Sequence, residues 1–413
     1  MKYKMNILLI TQYFWPENFR INDLAAGLVE QGHKITVLTG VPNYPEGKFF
    51  SGYGLFKNLR QDYRGIKIIR VPLVARGKGK KIGLILNYLS FAFFASILGL
   101  FLCRGKYHLI FVYEPSPITV GLPAIILKKF KSAPILFWVQ DLWPESLSAT
   151  GAVSSSMIIK IVKKIVNFIY HQCDIILVQS RAFIASIQSF GIDSKRIVCF
   201  PNSTEEFYRP IELSDDDEER KVIPSGFVVM FAGNIGAAQD FGTIIDAAEK
   251  LKSYQDIYWV ILGDGRMCSW AKDRVVARGL QANFLFLGRY PAEAMPRYFS
   301  LADALLVTLK DDEIFKQTIP SKVQSYLACA KPIIAGLAGE GAKIIEESGA
   351  GLTCSPEDSD ALAKNVLEMY HMEESKRLNM GIKGREYFKD NFEREKLLDQ
   401  LDRIFKSING EKV

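Results

Sequence analysis

Apolar runs recur along the chain, separated by stretches whose apolar positions return every three or four residues. "NILLITQYF" reads as a strand, "INDLAAGLVEQG" as an amphipathic helix closed at Gly32, and "KITVLTG" as the next strand. The runs "GIKIIRVPL", "YHLIFVY", "APILFWVQD", "CDIILVQS" and "RIVCFPN" continue this βαβ pattern, with room for helices between them. Fully apolar strands alternating with helices predict a parallel, doubly wound sheet.

Near residue 201 the pattern stops. "PNSTEEFYRPIELSDDDEERKVIPSG" has no period and is rich in Pro, Ser and acidic residues, so 201–226 reads as a linker. Alternation then restarts, with strands "FVVMFAG", "IYWVILG", "FLFLG", "ALLVTL" and "PIIAG" between helices such as "GTIIDAAEKL" and "SKVQSYLACA". The expectation is α/β: two Rossmann-like doubly wound domains, 1–200 and 227–390, followed by a helical stretch over 391–413. A length of 413 residues suits that division. Open α/β sheets bind ligands at the carboxyl ends of their strands, so two such domains facing across a cleft would hold a ligand on each wall.

Composition is that of a globular protein, 48% hydrophobic and 23% charged, with one exception. "GLILNYLSFAFFASILGLFLC", Gly83–Cys103, is uncharged; as a helix it would be about 30 Å long, close to the thickness of a bilayer's hydrocarbon core. The strands on either side of it must share one sheet, and Asn87, Tyr88, Ser90 and Ser96 interrupt the run, so a helix dipping into one leaflet fits better than a crossing. Arg76, Lys78, Lys80 and Lys81 precede it, and Arg104 and Lys106 follow. A second segment, "MIIKIVKKIVNFIY" (Met157–Tyr170), sets Lys160, Lys163 and Lys164 against Ile, Val and Phe in the manner of an interfacial helix. An ordinary core helix is the alternative for both.

Charge points the same way. Residues 1–200 hold 25 Lys and Arg against 10 Asp and Glu, a net +15, whereas the remainder carries −8. An anionic membrane surface suits that half; nucleic acid does not, since no zinc-finger spacing, RNP-like motif or basic repeat is present. Six scattered cysteines without a CxxC pair, and an N-terminus without an apolar leader, suggest the cytoplasm. His33, His108, His171 and His371 lie far apart, so no protein-held metal is expected.

Candidate chemistry lies in the loops that follow strands. In the second half, "FAGNIGAAQDFG" places Gly233 and Gly236 where backbone could approach a phosphate, and "LGDGRM" repeats the arrangement with Arg266. "IPSKVQSYLACAKP" fits a capping box through Ser321 and Gln324. Its Lys322 lies in the first turn, where a cation opposes the helix dipole and a bound anion would relieve the conflict. In the first half, "TQYFWPENFR" brings Glu17, Asn18 and Arg20, and "VPNYPEG" brings Asn43 and Tyr44. "VYEPSP" and "VQDLWPES" bring Glu114 and Asp141 just past apolar strands.

At these loops the chain resembles the retaining GT-B glycosyltransferases of family 4. "YFWPE", "PNYPEG", "DLWPES", "AGNIG", "PSK" and "GEGAKIIEESGAG" most resemble the fucosamine-transferase-like subgroup that includes O-antigen, capsule and colanic acid transferases. The resemblance implies transfer of a sugar from a UDP-sugar, bound by the second domain, to a lipid-linked (polyprenyl diphosphate) saccharide on the first. It implies no cofactor and no metal, with the donor diphosphate held by helix N-termini and by Arg266, Arg289 and Lys322, and a last helix that crosses back to the first domain. Asn234, Gly236, Gln239, Ser321, Ser325 and Glu340 complete the implied donor set; Glu17, Asn18, Arg20, Asn43 and Tyr44 form the acceptor set. Asp141, Glu114 and Lys322 are the implied catalytic residues. Asn234 and Gln239 stand where many members carry Arg and Lys, Gln317 and Ser325 where they carry paired glutamates, and Gln140 where a histidine is frequent. A nucleotide-sugar 2-epimerase and a non-catalytic GT-B partner subunit remain the alternatives.

Overall fold

The structure, a computed structural model, describes residues 4–77, 81–149 and 155–410. The chain forms two compact units, one of residues up to Pro201 together with those from Leu397 onward, the other running from Asn202 to Lys396. The first unit contains β1 (Asn6–Ile10), α1 (Ile21–Glu30), β2 (Lys34–Gly40), β3 (Arg60–Tyr63), β4 (Ile66–Val71) and α2 (Lys81–Leu102). It continues with β5 (Leu109–Glu114), α3 (Gly121–Lys131), β6 (Ile135–Val139), α4 (Glu145–Ala149), α5 (Ser156–Gln172), β7 (Ile175–Val178), α6 (Ala182–Gln188) and β8 (Ile197–Cys199).

Its eight strands run in the order β3-β4-β2-β1-β5-β6-β7-β8. All pair in parallel except β3, which meets β4 antiparallel. Sequence pattern does not announce β3, because "RQDY" is a polar edge strand. In the turn after it Arg64 and Gly65 both take positive φ, the geometry that closes a two-residue hairpin. Alternate residues of the inner strands feed opposite cores. Ile7 and Leu9 join the side covered by α1, while Leu8 and Ile10 join the side covered by α2, α3 and α5.

The second unit contains α7 (Glu218–Val222), β9 (Phe227–Ala232), α8 (Phe241–Lys250), β10 (Ile257–Leu262), α9 (Cys268–Ala277), β11 (Phe284–Gly288), α10 (Met295–Ser300) and β12 (Ala304–Thr308). It continues with α11 (Glu313–Gln317), α12 (Ser321–Ala328), β13 (Ile333–Gly336), α13 (Glu340–Ser348), β14 (Gly351–Cys354), α14 (Ser359–His371) and α15 (Glu374–Asn391). Six parallel strands form one sheet in the order β11-β10-β9-β12-β13-β14. A final helix, α16 (Arg394–Ile408), leaves this unit, and its Leu397, Leu398, Leu401 and Phe405 complete the α1-side core of the first.

Among the parallel strands of each sheet the order reverses once, between β1 and β5 in the first unit and between β9 and β12 in the second. Those switch points are where the loops after strands splay apart and leave a crevice.

The apolar run forms α2. Strands β4 and β5, on either side of it, lie in the same sheet, so the helix leaves and returns on one side instead of crossing a bilayer. Only 28% of its most apolar window is buried. Ile82, Ile85, Leu86, Leu89, Phe93, Ile97 and Phe101 are all more than 40% exposed and fall on one stripe at helical spacing. Two of the polar residues that interrupt the run, Asn87 and Ser90, point inward. Asn87 is fully buried, accepts from the Gln12 amide at 2.6 Å and donates to the Val74 carbonyl at 2.6 Å, while the Ser90 hydroxyl accepts the Val74 N–H. The flanking Lys78 and Lys80 lie outside the described residues. On α5 the exposed side mixes Met157, Ile158, Ile161 and Phe168 with lysines and does not separate them.

Candidate active site

A cleft of about 580 Å³ opens at the carboxyl ends of β9, β10 and β11, closed on one side by the start of α12. Its floor is built by close backbone approach. Gly233 has φ +136°, and a Cβ placed on Gly263 would stand 1.9 Å from the Gly233 carbonyl oxygen. A Cβ on Gly233 would stand 2.6 Å from Lys322 Cε, so glycine here makes room for the lysine side chain.

Lys322 is the second residue of α12. Its Nζ is buried 3.4 Å from the centroid of the Phe231 ring and has no hydrogen-bond partner among the described residues. Burial pushes the ammonium pKa down to about 7 from 10.5. The ring face compensates only part of the lost hydration, and the positive end of the helix dipole works against the charge. The side chain is therefore positioned to receive an anion.

Asn234, Gln239, Arg289, Ser321, Lys322 and Ser325 line the cleft. The turn after β9 is braced from within: Gln239 Oε1 accepts the Gly236 N–H at 3.1 Å, and the Thr308 hydroxyl donates to the Gln239 carbonyl. Gly236 thus shapes the loop without lining the cleft. Arg266 is exposed and lies outside the lining, where Asp264 takes its place. Glu340 also lies outside; it opens α13, is buried, and sits 3.3 Å from Lys343. The expected capping box does not form, because Pro320 is the N-cap and Ser321 already the first helical residue; Gln324 donates instead to the Asn202 carbonyl at 2.6 Å.

Aromatic residues were the part that sequence reasoning missed. Tyr208, Tyr290, Phe299 and Tyr326 line the cleft, the first from a segment read as linker. Tyr326 is anchored through its hydroxyl, which accepts the Ala232 N–H and donates to the Leu306 carbonyl. Only the oddity of "FY" in a polar linker hinted at Tyr208.

In the first unit the loops after β1, β2, β5 and β6 carry the other candidates. Glu17 is 1% exposed, and its Oε1 accepts from the N–H groups of Asn43 at 2.8 Å and Tyr44 at 2.7 Å. It therefore staples two loops together. Desolvation pushes its pKa up to about 7 despite those two donors. Asn43 is equally buried, accepting from the Arg76 N–H. Both residues shape the site from beneath, whereas Asn18 and Tyr44 are exposed and Arg20 is half-buried.

Glu114 ends β5 fully buried, beside the backbone N–H groups of Gln140 and Asp141. Burial first and then the neighbouring Asp141 drive its pKa well above the usual carboxylate range. A group so enclosed is out of reach of a substrate. Asp141 is half-buried just past β6 and titrates at about 6, raised by desolvation and held back by the Ser146 hydroxyl and Trp143. Of the two carboxyls, Asp141 is the one that solvent reaches.

Two Rossmann-like α/β units, with a glycine-built cleft at the strand ends of the second, are those of the GT-B class of glycosyltransferase. Residues 18–203 match the family model described as Glycosyl transferase 4-like domain, and residues 214–387 match that described as Glycosyl transferases group 1. The Pseudomonas aeruginosa protein WbjE, named as a glycosyltransferase, is 27% identical over 240 residues, 57% of this chain but only 59% of its own length. Escherichia coli K12 WcaI, named for colanic acid biosynthesis, is 23% identical over 342 residues, 78% of this chain and 81% of its own. Among solved structures, Anabaena HepE in complex with UDP superposes with a TM-score of 0.72 at 16% identity, covering 98% of this chain and 100% of that one. The chain belongs to the family 4 glycosyltransferases of GT-B fold.

Proposed function

We propose that the enzyme moves a sugar, an N-acetylated amino sugar or a deoxysugar, from a UDP-sugar to a polyprenyl-diphosphate-linked saccharide with retention at the anomeric carbon. The reaction serves surface polysaccharide synthesis on the cytoplasmic side of the inner membrane. The observation that carries this reading is the buried, unpartnered Lys322 ammonium at the start of α12, facing a cleft of nucleotide-sugar size. The UDP bound to HepE and the naming of WcaI for colanic acid biosynthesis lend support.

In this reading the α12 amides, the Ser321 hydroxyl and Lys322 hold the donor diphosphate. As the sugar–oxygen bond breaks, negative charge collects on the leaving phosphate, and a preplaced cation in a desolvated cleft stabilises it most where the charge is greatest. The acceptor hydroxyl approaches on the face the phosphate is leaving, and a phosphate oxygen takes its proton. Asp141 aligns that acceptor. The exposed stripe of α2 lies on the inner leaflet and keeps the acceptor loops near their lipid substrate.

Calorimetry with UDP, followed by transfer to a prenyl-diphosphate-linked sugar, tests the reading. Binding of UDP without any transfer across a panel of donors and acceptors would leave a partner subunit. Epimerisation of the donor sugar in the absence of acceptor would replace transferase with epimerase.

A further inference from the structure

On the reading of the first unit as the acceptor-binding one, we infer that Arg76 and the aromatic cluster beside it form the seat for the acceptor's diphosphate, at the point where the prenyl chain enters the membrane. Arg76 is half-buried, with its guanidinium 5.0 Å above the Tyr44 ring and Nη1 3.5 Å from the Tyr13 hydroxyl. Among the described residues it makes no ion pair. Tyr13, Phe19 and Tyr44 pack as a trio with ring centroids 5.1 to 5.6 Å apart, and Tyr44 is 38% exposed. The guanidinium thus stands over a rigid aromatic platform with its remaining donors unspent.

The seat is built, not incidental. The Arg76 N–H donates to Asn43 Oδ1 at 3.1 Å and the Gly77 N–H to the Gly47 carbonyl at 2.9 Å. Gly47 has φ +72° and a Cβ there would meet the Gly77 carbonyl oxygen at 1.8 Å, so the two loops are in backbone contact. Glu17, the nearby acid, has its Oε1 occupied by two amides and its carboxyl turned under the loop at 1% exposure. It does not compete for the cation at the surface.

Position decides what anion is meant. A Cβ on Gly83, in the first turn of α2, would lie 2.7 Å from the Arg76 carbonyl oxygen, so the helix starts against the seat. The exposed stripe begins at Ile82 and runs to Phe101, about 29 Å at the helical rise. An unpaired fork of N–H donors at one end of an apolar stripe matches a ligand with a diphosphate head and a hydrocarbon tail. A phosphorylated sugar in solution could use the same cation but would leave the stripe unused.

The test uses the full-length enzyme saturated with UDP, so that the Lys322 cleft is occupied, titrated by calorimetry with geranyl diphosphate, inorganic diphosphate and geraniol. Geranyl diphosphate should bind at least tenfold more tightly than either part. Arg76→Gln should weaken it at least tenfold and Arg76→Lys by less, with the thermal midpoint and UDP affinity unchanged. Tyr44→Leu supplies a second variant that leaves the Arg76 backbone bonds intact and should also weaken binding. Equal binding by wild type and Arg76→Gln overturns the proposal; inorganic diphosphate binding as well as the prenyl form reassigns the seat to a soluble phosphate, and geraniol binding as well leaves only an apolar surface. An enzyme that binds no UDP, yet loses geranyl diphosphate on Arg76→Gln, refutes the donor reading and leaves the seat standing.

Discussion

Replacing Lys322 with glutamine should abolish a proton uptake that accompanies UDP binding. In the unliganded protein burial holds the ammonium pKa at about 7 against 10.5 for a hydrated lysine. That difference corresponds to about 5 kcal/mol disfavouring the charged form. At about pH 8.5 only a few per cent of Lys322 is then protonated. A diphosphate beside it restores the favourable charge, so binding should draw close to one proton per UDP at about pH 8.5, where the nucleotide's own phosphate is fully ionised. Calorimetry in two buffers of different ionisation enthalpy reads that proton directly. The sign for stability follows from the same values. From pH 7 to 10.5 the unfolded chain keeps a proton that the native chain has lost, so stability rises with pH in that window by about 1.4 kcal/mol per pH unit. Lys322→Gln should flatten this rise and weaken UDP binding by ~1.5–3 kcal/mol, the worth of a charge-assisted hydrogen bond. Buffer-independent UDP enthalpies at about pH 8.5, or the same proton uptake in the variant, would refute the assignment of Lys322 to the diphosphate.

Other variants address other links in the chain of reasoning. Gly233→Ala places a Cβ 2.6 Å from Lys322 Cε at a φ of +136°; UDP affinity should fall at least tenfold in calorimetry as the lysine is displaced. Glu17 titrates at about 7 against 4.5 when unfolded, so the native state holds the extra proton and stability should fall as pH rises between those values; Glu17→Gln should remove that slope in denaturant midpoints measured across the window. Asp141→Asn should lower transfer by roughly 10²-fold, the cost of a misaligned acceptor, with UDP affinity unchanged, and wild-type turnover should climb through pH 6 as the carboxylate ionises. Leu89→Glu with Phe93→Glu, both more than half exposed, should abolish flotation with anionic vesicles while the thermal midpoint moves by no more than about 1 °C.

Much of the architecture was legible because the inner strands are buried on both faces. Runs such as "ILLI" and "IILV" have no amphipathic alternation to confuse with a helix, and their spacing alone specifies parallel strands. Edge elements escaped for the opposite reason: β3 is polar, and β14, "GLTC", is too short and too weakly apolar to stand out. At the site, Lys322 was legible as a cation at the wrong end of a helix, a local conflict visible in the sequence. The role of Glu17 was not. A carboxylate in a loop reads as a ligand contact, and only tertiary structure reveals two backbone amides from a loop 26 residues away on its oxygen. Nor could the sequence tell Arg266 from Arg289; each follows a strand of the same sheet, and only the loop path brings the second into the cleft.

The last helix bears on how the protein is made. Leu397, Leu398, Leu401 and Phe405 seal the same core as Ile7, Leu9 and Ile35, residues that leave the ribosome nearly the whole chain earlier. The first strand to be synthesised is among the last to be covered. Until α16 arrives, one face of an eight-stranded sheet waits with part of its apolar surface open, while the second unit, continuous from Asn202 to Lys396, can close on its own. The second unit can thus close before the first is complete, and the α1-side core of the first stays unfinished until its most distant segment arrives.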